Sequence, residues 1–411
     1  MGVLDIITIL LILASVFTFV NAKYMKVSPT IGLMLQSFTI SVIVLIIGYF
    51  FPSFKELASN TIRSFDFSEV LLHIMLSFLL FAGALHIEVE MLKEEKWPIF
   101  VLTTFGVLVS TLVVGYFLFY LLPFIGLQVD LITCLLFGAL ISPTDPIAVL
   151  AILKQTTMSK NLEIKIAGES LFNDGVGVVA YLTVLAIAQK GASNVEISEV
   201  MILFMQEVVG GLILGFFAGW LCVKILVLIS NEEIELEVLI SLAFVMGTYK
   251  ICELFGFSGP LAMVVLGIYV GHQGHKKNIF NEHFYKFWGL IDDTMNAILF
   301  ILVGFEMLII SFEINYLIAG LISIFVVLFS RYVSVALPIK LFQIKREFAK
   351  KTTLILTWGG LRGGLSVALA LSLPPSPHKD MIITITYCVV VFSILVQGLT
   401  IQKLLGKPEN A

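Results

Sequence analysis

The residues in this chain best suited to chemistry are acids and hydroxyls set inside long apolar stretches. Ser142-Pro143-Thr144-Asp145-Pro146 interrupts one stretch, and Glu169-Ser170-Leu171-Phe172-Asn173-Asp174-Gly175 lies inside the next. At about 100° per residue, Glu169, Ser170, Asn173 and Asp174 share an arc of roughly 140° on one helix face. A carboxylate inside a bilayer is costly unless paired or solvated, so intramembrane acids are functional candidates first. The bland alternative places Glu169 and Asp174 near a helix end, simply reaching water. Two acids, an amide and a hydroxyl on one face make that the weaker reading. Asp145 adds a third acid, with Thr144 beside it. Carboxylate, hydroxyl, amide and freed carbonyl oxygens suit a hard cation rather than a soft metal. His, Cys and Met are absent from the cluster.

Two backbone interruptions must position these groups. Each proline in the Ser142–Pro146 segment lacks an N–H, which deprives the carbonyls of Ala139 and Ser142 of helical partners. Ser142 and Asp145 precede prolines and are pushed toward extended geometry. Broken backbone at membrane depth is tolerated only where protein or a water-filled cavity surrounds it. The second interruption, Trp358-Gly359-Gly360-Leu361-Arg362-Gly363-Gly364, sets four glycines around one arginine. Glycine weakens a helix and lets another backbone come close. Arg362 needs a buried acid as partner, and Glu169 or Asp145 is the natural candidate.

The surrounding chain has 411 residues, 59% apolar and 13% charged, with mean hydropathy +1.03 and net charge −4. A soluble domain carries about twice that charged fraction. Soluble enzyme, nucleic-acid binder and disordered regulator are thereby excluded for the bulk of the chain. An all-α polytopic membrane protein is expected, one membrane domain over 1–411. Runs long enough to cross a bilayer lie near 3–22, 28–51, 67–87, 97–122, 130–153, 160–189, 197–229, 234–255, 259–273, 284–310, 314–342, 349–373 and 380–403, about 13 spans. With the N-terminus outside, 18 Lys and Arg fall in cytoplasmic connections and four (Lys55, Arg63, Lys190, Lys379) on the other side. That imbalance sets the C-terminus in the cytoplasm. Spans 1–6 and 8–13 then read as two six-helix repeats, the second inverted, in which span 5 corresponds to span 12. Interrupted helices at matched positions of inverted halves point to a transporter binding site. The N-terminus lacks the basic region of a cleavable signal peptide, so the first run is expected to be retained.

Ser-Pro-Thr-Asp-Pro followed by Glu-Ser-Leu-Phe-Asn-Asp-Gly resembles the monovalent cation/proton antiporter superfamily, and within it the electroneutral NhaP-type sodium/proton antiporters. The resemblance covers nearly the whole chain, including the late Gly-Gly-Leu-Arg-Gly-Gly segment. It implies two crossed discontinuous helices in an ion-translocating core near 97–189 and 314–403. Scaffold and dimerisation helices would lie near 3–87 and 197–310, in a homodimer. It further implies that Asp174 carries either cation or proton and that Asn173 stands where electrogenic relatives have a second aspartate. Ser170, Glu169 and Thr144 join Asp174 as the monovalent cation's ligand set, Glu169 pairs with Arg362, and Asp145 orients the crossing. Sodium and protons would be substrates, with no cofactor, nucleotide or nucleic acid involved. Lithium is a further candidate cargo. The absence of a long C-terminal tail suggests a microbial cell-membrane protein without a regulatory domain. A potassium/proton antiporter of the same fold and a cation channel are the alternatives; paired interruptions favour alternating access over a pore.

Other signals are weaker. Cys134, Cys222, Cys252 and Cys388 sit singly in apolar runs and read as packing residues. Gly256-Phe257-Ser258-Gly259 resembles an intramembrane serine-protease motif, but a nucleophile needs a base within reach. A loop between spans 8 and 9 is the better reading. There is no HExxH and no P-loop. Lys250 and Glu253 are expected to neutralise each other on one helix face. His73 and His86 read as structural, with pH sensing as the alternative. Glu306 and Arg331 either line an ion funnel or snorkel. Asp292 and Asp293 either line the cytoplasmic entrance or compensate a helix dipole. The acidic run Glu232–Glu237 reads as a solvated loop able to attract cations.

Overall fold

Apolar runs this long cannot leave backbone N–H and C=O groups unpaired in lipid, which restricts the chain to helices or a closed barrel. A computed structural model describes residues 3–53, 59, 69–153, 160–190, 197–229, 234–277, 279–310, 312–344 and 351–405, and among these there is no strand. Lys55, Arg63, Lys154, Glu232, Glu233, Lys345, Arg346, Lys350 and Lys407 lie outside the described residues. The helices are α1 (Val3–Val20), α2 (Pro29–Phe50), α3 (Val70–Leu85) and α4 (Lys96–Leu121). Then come α5 (Leu131–Ile141), α6 (Ile147–Leu153), α7 (Lys160–Lys190), α8 (Ile197–Ile229) and α9 (Ile234–Phe255). The chain continues with α10 (Gly259–Lys277), α11 (Glu282–Phe305), α12 (Ile314–Phe342), α13 (Thr352–Gly359), α14 (Gly364–Leu371), α15 (Lys379–Phe392) and α16 (Gly398–Leu405). By length and composition, nine helices among the described residues can cross a membrane. Phe50, Ile213, Leu239 and Phe325 are each more than 60% exposed on their outer faces. Such an apolar surface is stable against lipid and unstable in water.

Two groups of helices emerge from the packing. In the first, α4 packs on α5, α7 and α12, while α12 also packs on α13 and α15, and α14 on α15. In the second, α10 lies between α8 and α3, α11 packs on α2 and α3, and α9 covers α8 and α10. The groups meet where α7 touches α8 and α10, and where α14 touches α11 and the first turns of α3. Those first turns, Val70–Met75, are π-helical, a wider winding that recurs at functional sites.

Helix ends follow their local sequence. Asp130 caps α5, accepting from the Thr133 backbone N–H at 3.0 Å and its hydroxyl at 2.7 Å, which satisfies one otherwise orphaned donor. Gly256 turns the chain at φ +66°, and the Ser258 hydroxyl accepts the Leu261 N–H at 3.3 Å, at the first turn of α10. The protease-like tetrapeptide is thus a helix-capping loop. Lys250 and Glu253 pair at 2.8 Å on α9. Lys165 is buried against Glu95 at 3.1 Å, tying the start of α7 to the turn before α4.

Candidate functional site

The proline break separates α5 from α6 over residues 142–146, and the glycine break separates α13 from α14 over 360–363. The two breaks cross. The Asp145 N–H donates to the Leu361 carbonyl at 2.7 Å, forming an isolated antiparallel bridge. Glycine is required at this approach. A Cβ on Gly363 would lie 2.6 Å from Asp145 Oδ2, and one on Gly360 would collide with Arg331 Nε. Gly363→Ala is therefore expected to destabilise the fold by about 1–3 kcal/mol through overpacking, measurable as thermal unfolding in detergent.

Each half-helix that stops at the crossing leaves carbonyls without helical donors, and each set is met. At the end of α5, Ala139 O accepts from Ser142 N–H at 3.2 Å and Ser142 Oγ at 2.9 Å. Arg362 Nη1 donates to Ser142 O, and to Pro143 O at 3.1 Å. At the end of α13, Arg331 Nε and Nη2 donate to Leu356 O at 3.3 and 3.1 Å. Gln397 donates to Trp358 O at 3.0 Å. An arginine thus stands at the negative end of each broken helix, where the helix dipole favours a cation. On the other side of the first break, Asp145 Oδ1 accepts the Ile147 N–H at 2.9 Å and starts α6.

The expected Glu169–Arg362 ion pair is not formed. Glu169 Oε1 is held by Arg331 Nη1, with both side chains less than a tenth exposed. The reason lies in the break itself. Ser142 O, freed by Pro146, and the neighbouring Pro143 O take Arg362, and Arg331, reaching in from α12, holds Glu169. Arg362 Nη2 has no hydrogen-bond partner among the described residues. Arg331 therefore neither snorkels nor lines a funnel.

On α7 the polar face reads as its spacing predicts. Asn173 Nδ2 donates to Thr144 Oγ1 at 2.8 Å, and Asn173 Oδ1 accepts the Thr144 N–H at 3.2 Å. Thr144 Oγ1 and Ser170 Oγ are 3.2 Å apart. Asn173 fixes the broken segment to α7 through both ends of its amide. Asp174 is partly exposed and has no ion pair or side-chain hydrogen bond among the described residues. It lines a cavity of about 180 Å³ together with Thr144, Asp145, Asp292, Asn296 and Ser366. Asp292 thus faces the cavity, and Asn296 Nδ2 donates to it at 3.0 Å. Asn296 Oδ1 and Ser366 Oγ are buried without partners among the described residues. Neither residue stands out in sequence; each is a single polar group four residues after Asp292 or two after Gly364.

Two helices broken at mid-length and crossed, with a cavity lined by an acid of a third helix, define a membrane transporter of the discontinuous-helix type. Comparison with known proteins narrows this class. The chain belongs to the sodium/hydrogen exchanger family, whose transmembrane region it matches over residues 8–407. It is 42% identical to the Na(+)/H(+) antiporter NhaP of Pseudomonas aeruginosa, over 98% of this chain and 96% of that one. It is 32% identical to the Na(+)/H(+) antiporter NhaH of Halobacillus dabanensis, over 98% and 97% respectively. The fold matches the sodium proton antiporter MjNhaP1 of Methanocaldococcus jannaschii with a TM-score of 0.76 and 21% identity, covering 98% of this chain and 99% of that one.

Proposed function

We propose that the protein is a secondary antiporter that exchanges one Na+ for one H+ by alternating access, without an enzymatic step, cofactor or nucleotide. The observation behind this reading is Asp174, an acid with no ion pair or side-chain hydrogen bond among the described residues, lining a cavity that also reaches the crossed breaks. Asp174 holds a cation only when ionised, so Na+ and H+ compete for one carboxylate. Thr144 and Ser170 supply neutral oxygens beside it, and Asp145 orients the crossing. Glu169 is committed to Arg331. Asn173 carries an amide, which cannot ionise in this range, and it holds Thr144 through both ends. The loaded site then bears the same charge with Na+ as with H+.

In this reading the chain crosses a microbial cell membrane thirteen times, N-terminus outside and C-terminus in the cytoplasm, and works as a homodimer. The group around α4–α7 and α12–α16 is the moving core. The group around α1–α3 and α8–α11 is the scaffold. The Asp174 cavity, lined by Ile87 near the end of α3, Ala167 early in α7 and Asp292 early in α11, faces the cytoplasm. Proteoliposomes with an internal pH dye test the reading. A Na+ pulse is expected to release protons at a rate unchanged when the membrane potential is collapsed with an ionophore. A Na+-evoked current that reverses with the proton gradient would show that a second charge moves. Repeating the pulse with Li+ and K+ ranks the cargoes.

A further inference from the structure

A second cavity, of about 400 Å³, lies in the other half of the boundary between the two helix groups. Its walls come from the start of α3 (Leu72, His73), the later half of α7 (Tyr181, Leu182), the end of α9 (Tyr249, Glu253), Glu207 of α8 and Ser372 beyond α14. Leu76, only 4% exposed, borders both this cavity and the one that holds Asp174. The two spaces approach the same barrier from opposite sides.

Among the described residues, several polar groups of the second cavity are engaged with one another, and one buried carboxylate oxygen is not. Glu253 is paired with Lys250 at 2.8 Å. Tyr249 donates its hydroxyl to the Leu72 carbonyl in the π-helical turn of α3, and its ring meets His73 edge-on. Tyr181 and Ser372 join their hydroxyls at 3.1 Å. Glu207 Oε2 is buried and has no hydrogen-bond partner among the described residues. Its backbone is fixed, because the Ser258 N–H donates to Glu207 O at 3.0 Å and Gln206 donates to Phe255 O at 3.1 Å. A carboxylate held at the wall of a roomy cavity and left without a protein donor is matched by a mobile cation.

We propose that Glu207 is a cation-receiving station on the far side of the barrier from Asp174, which draws a hydrated monovalent cation into the second cavity when the core faces that side. The proposal rests on the antiport reading above and adds a residue that acts from one face only. Glu207→Gln keeps the shape and removes the charge. Net flux must vanish at equilibrium, so weaker cation binding on one face appears differently in the two directions of transport. For Na+ entering from the Glu207 face, the apparent KM is expected to rise about fivefold, the effect of one partly hydrated charge, with kcat unchanged. For Na+ leaving by that face, kcat is expected to fall by the same factor with KM unchanged. Glu207→Asp, which restores the charge, is expected to return both constants toward wild type.

The measurement uses oriented proteoliposomes of the full chain, with Na+ supplied to either face. Unchanged constants in both directions overturn the proposal. So does an equal loss of kcat in both directions, which marks a structural role, or failure of Glu207→Asp to rescue. Asp174→Asn in the same vesicles separates the two levels. If it is inactive while Glu207→Gln matches wild type, only the station is lost. If Asp174→Asn still exchanges, the antiport reading itself falls.

Discussion

Asp174→Asn is expected to reduce Na+-dependent proton movement to the leak of empty liposomes while leaving the protein folded. Asparagine has the same shape but can neither ionise nor carry a proton, so it removes both halves of the exchange at once. The structure gives reason to expect little effect on stability. Asp174 makes no ion pair or side-chain hydrogen bond among the described residues, so its charge is not needed to satisfy a neighbour. Ser170→Ala offers a graded contrast. A neutral ligand oxygen is worth about 1 kcal/mol net, so its loss is expected to raise the apparent KM for Na+ about fivefold. Exchange at the wild-type rate by a folded Asp174→Asn protein would remove this residue from the centre of the mechanism.

The parts of this arrangement that were legible in sequence are those set by local covalent constraints. Pro143 and Pro146 cannot donate to the helix, so the break between α5 and α6 follows from two residues. The face shared by Ser170, Asn173 and Asp174 follows from helical spacing, and Thr144 meets it as expected. The choice between the two arginines was not legible. Arg362 stands inside a conspicuous glycine-rich motif, and Arg331 is a single charge in an ordinary apolar helix. Which of them reaches Glu169 depends on how α12 packs against α13 and on which carbonyls the proline break releases. Both are properties of the assembled bundle. Asn296, Ser366 and Glu207 were hidden for the same reason. A lone polar residue in an apolar helix looks the same in sequence whether a neighbour satisfies it or a cavity receives it.

The corrected ion pair leads to the largest expected effect on stability. Arg331 makes two kinds of contact: Nη1 holds Glu169, while Nε and Nη2 hold the Leu356 carbonyl at the end of α13. Arg331→Ala therefore leaves a buried carboxylate uncompensated and also removes a cap from a broken helix. Breaking a buried pair by removing one partner costs about 3–5 kcal/mol, and the lost cap places Arg331→Ala at the upper end. Glu169→Gln leaves the arginine its carbonyl partner and keeps an oxygen in place, so its cost is expected to be smaller. The double variant Glu169→Gln/Arg331→Ala should unfold at a higher temperature than the sum of the two single losses predicts, because no uncompensated charge remains. The control is Glu169→Gln combined with Arg362→Ala. Arg362 directs Nη1 to Ser142 and Pro143 rather than to Glu169, so these two losses should come closer to adding. Thermal unfolding in detergent reads these four variants and the single variant Arg362→Ala that completes the control. Stronger coupling of Glu169 to Arg362 than to Arg331 would mean that Arg362, not Arg331, neutralises the buried acid.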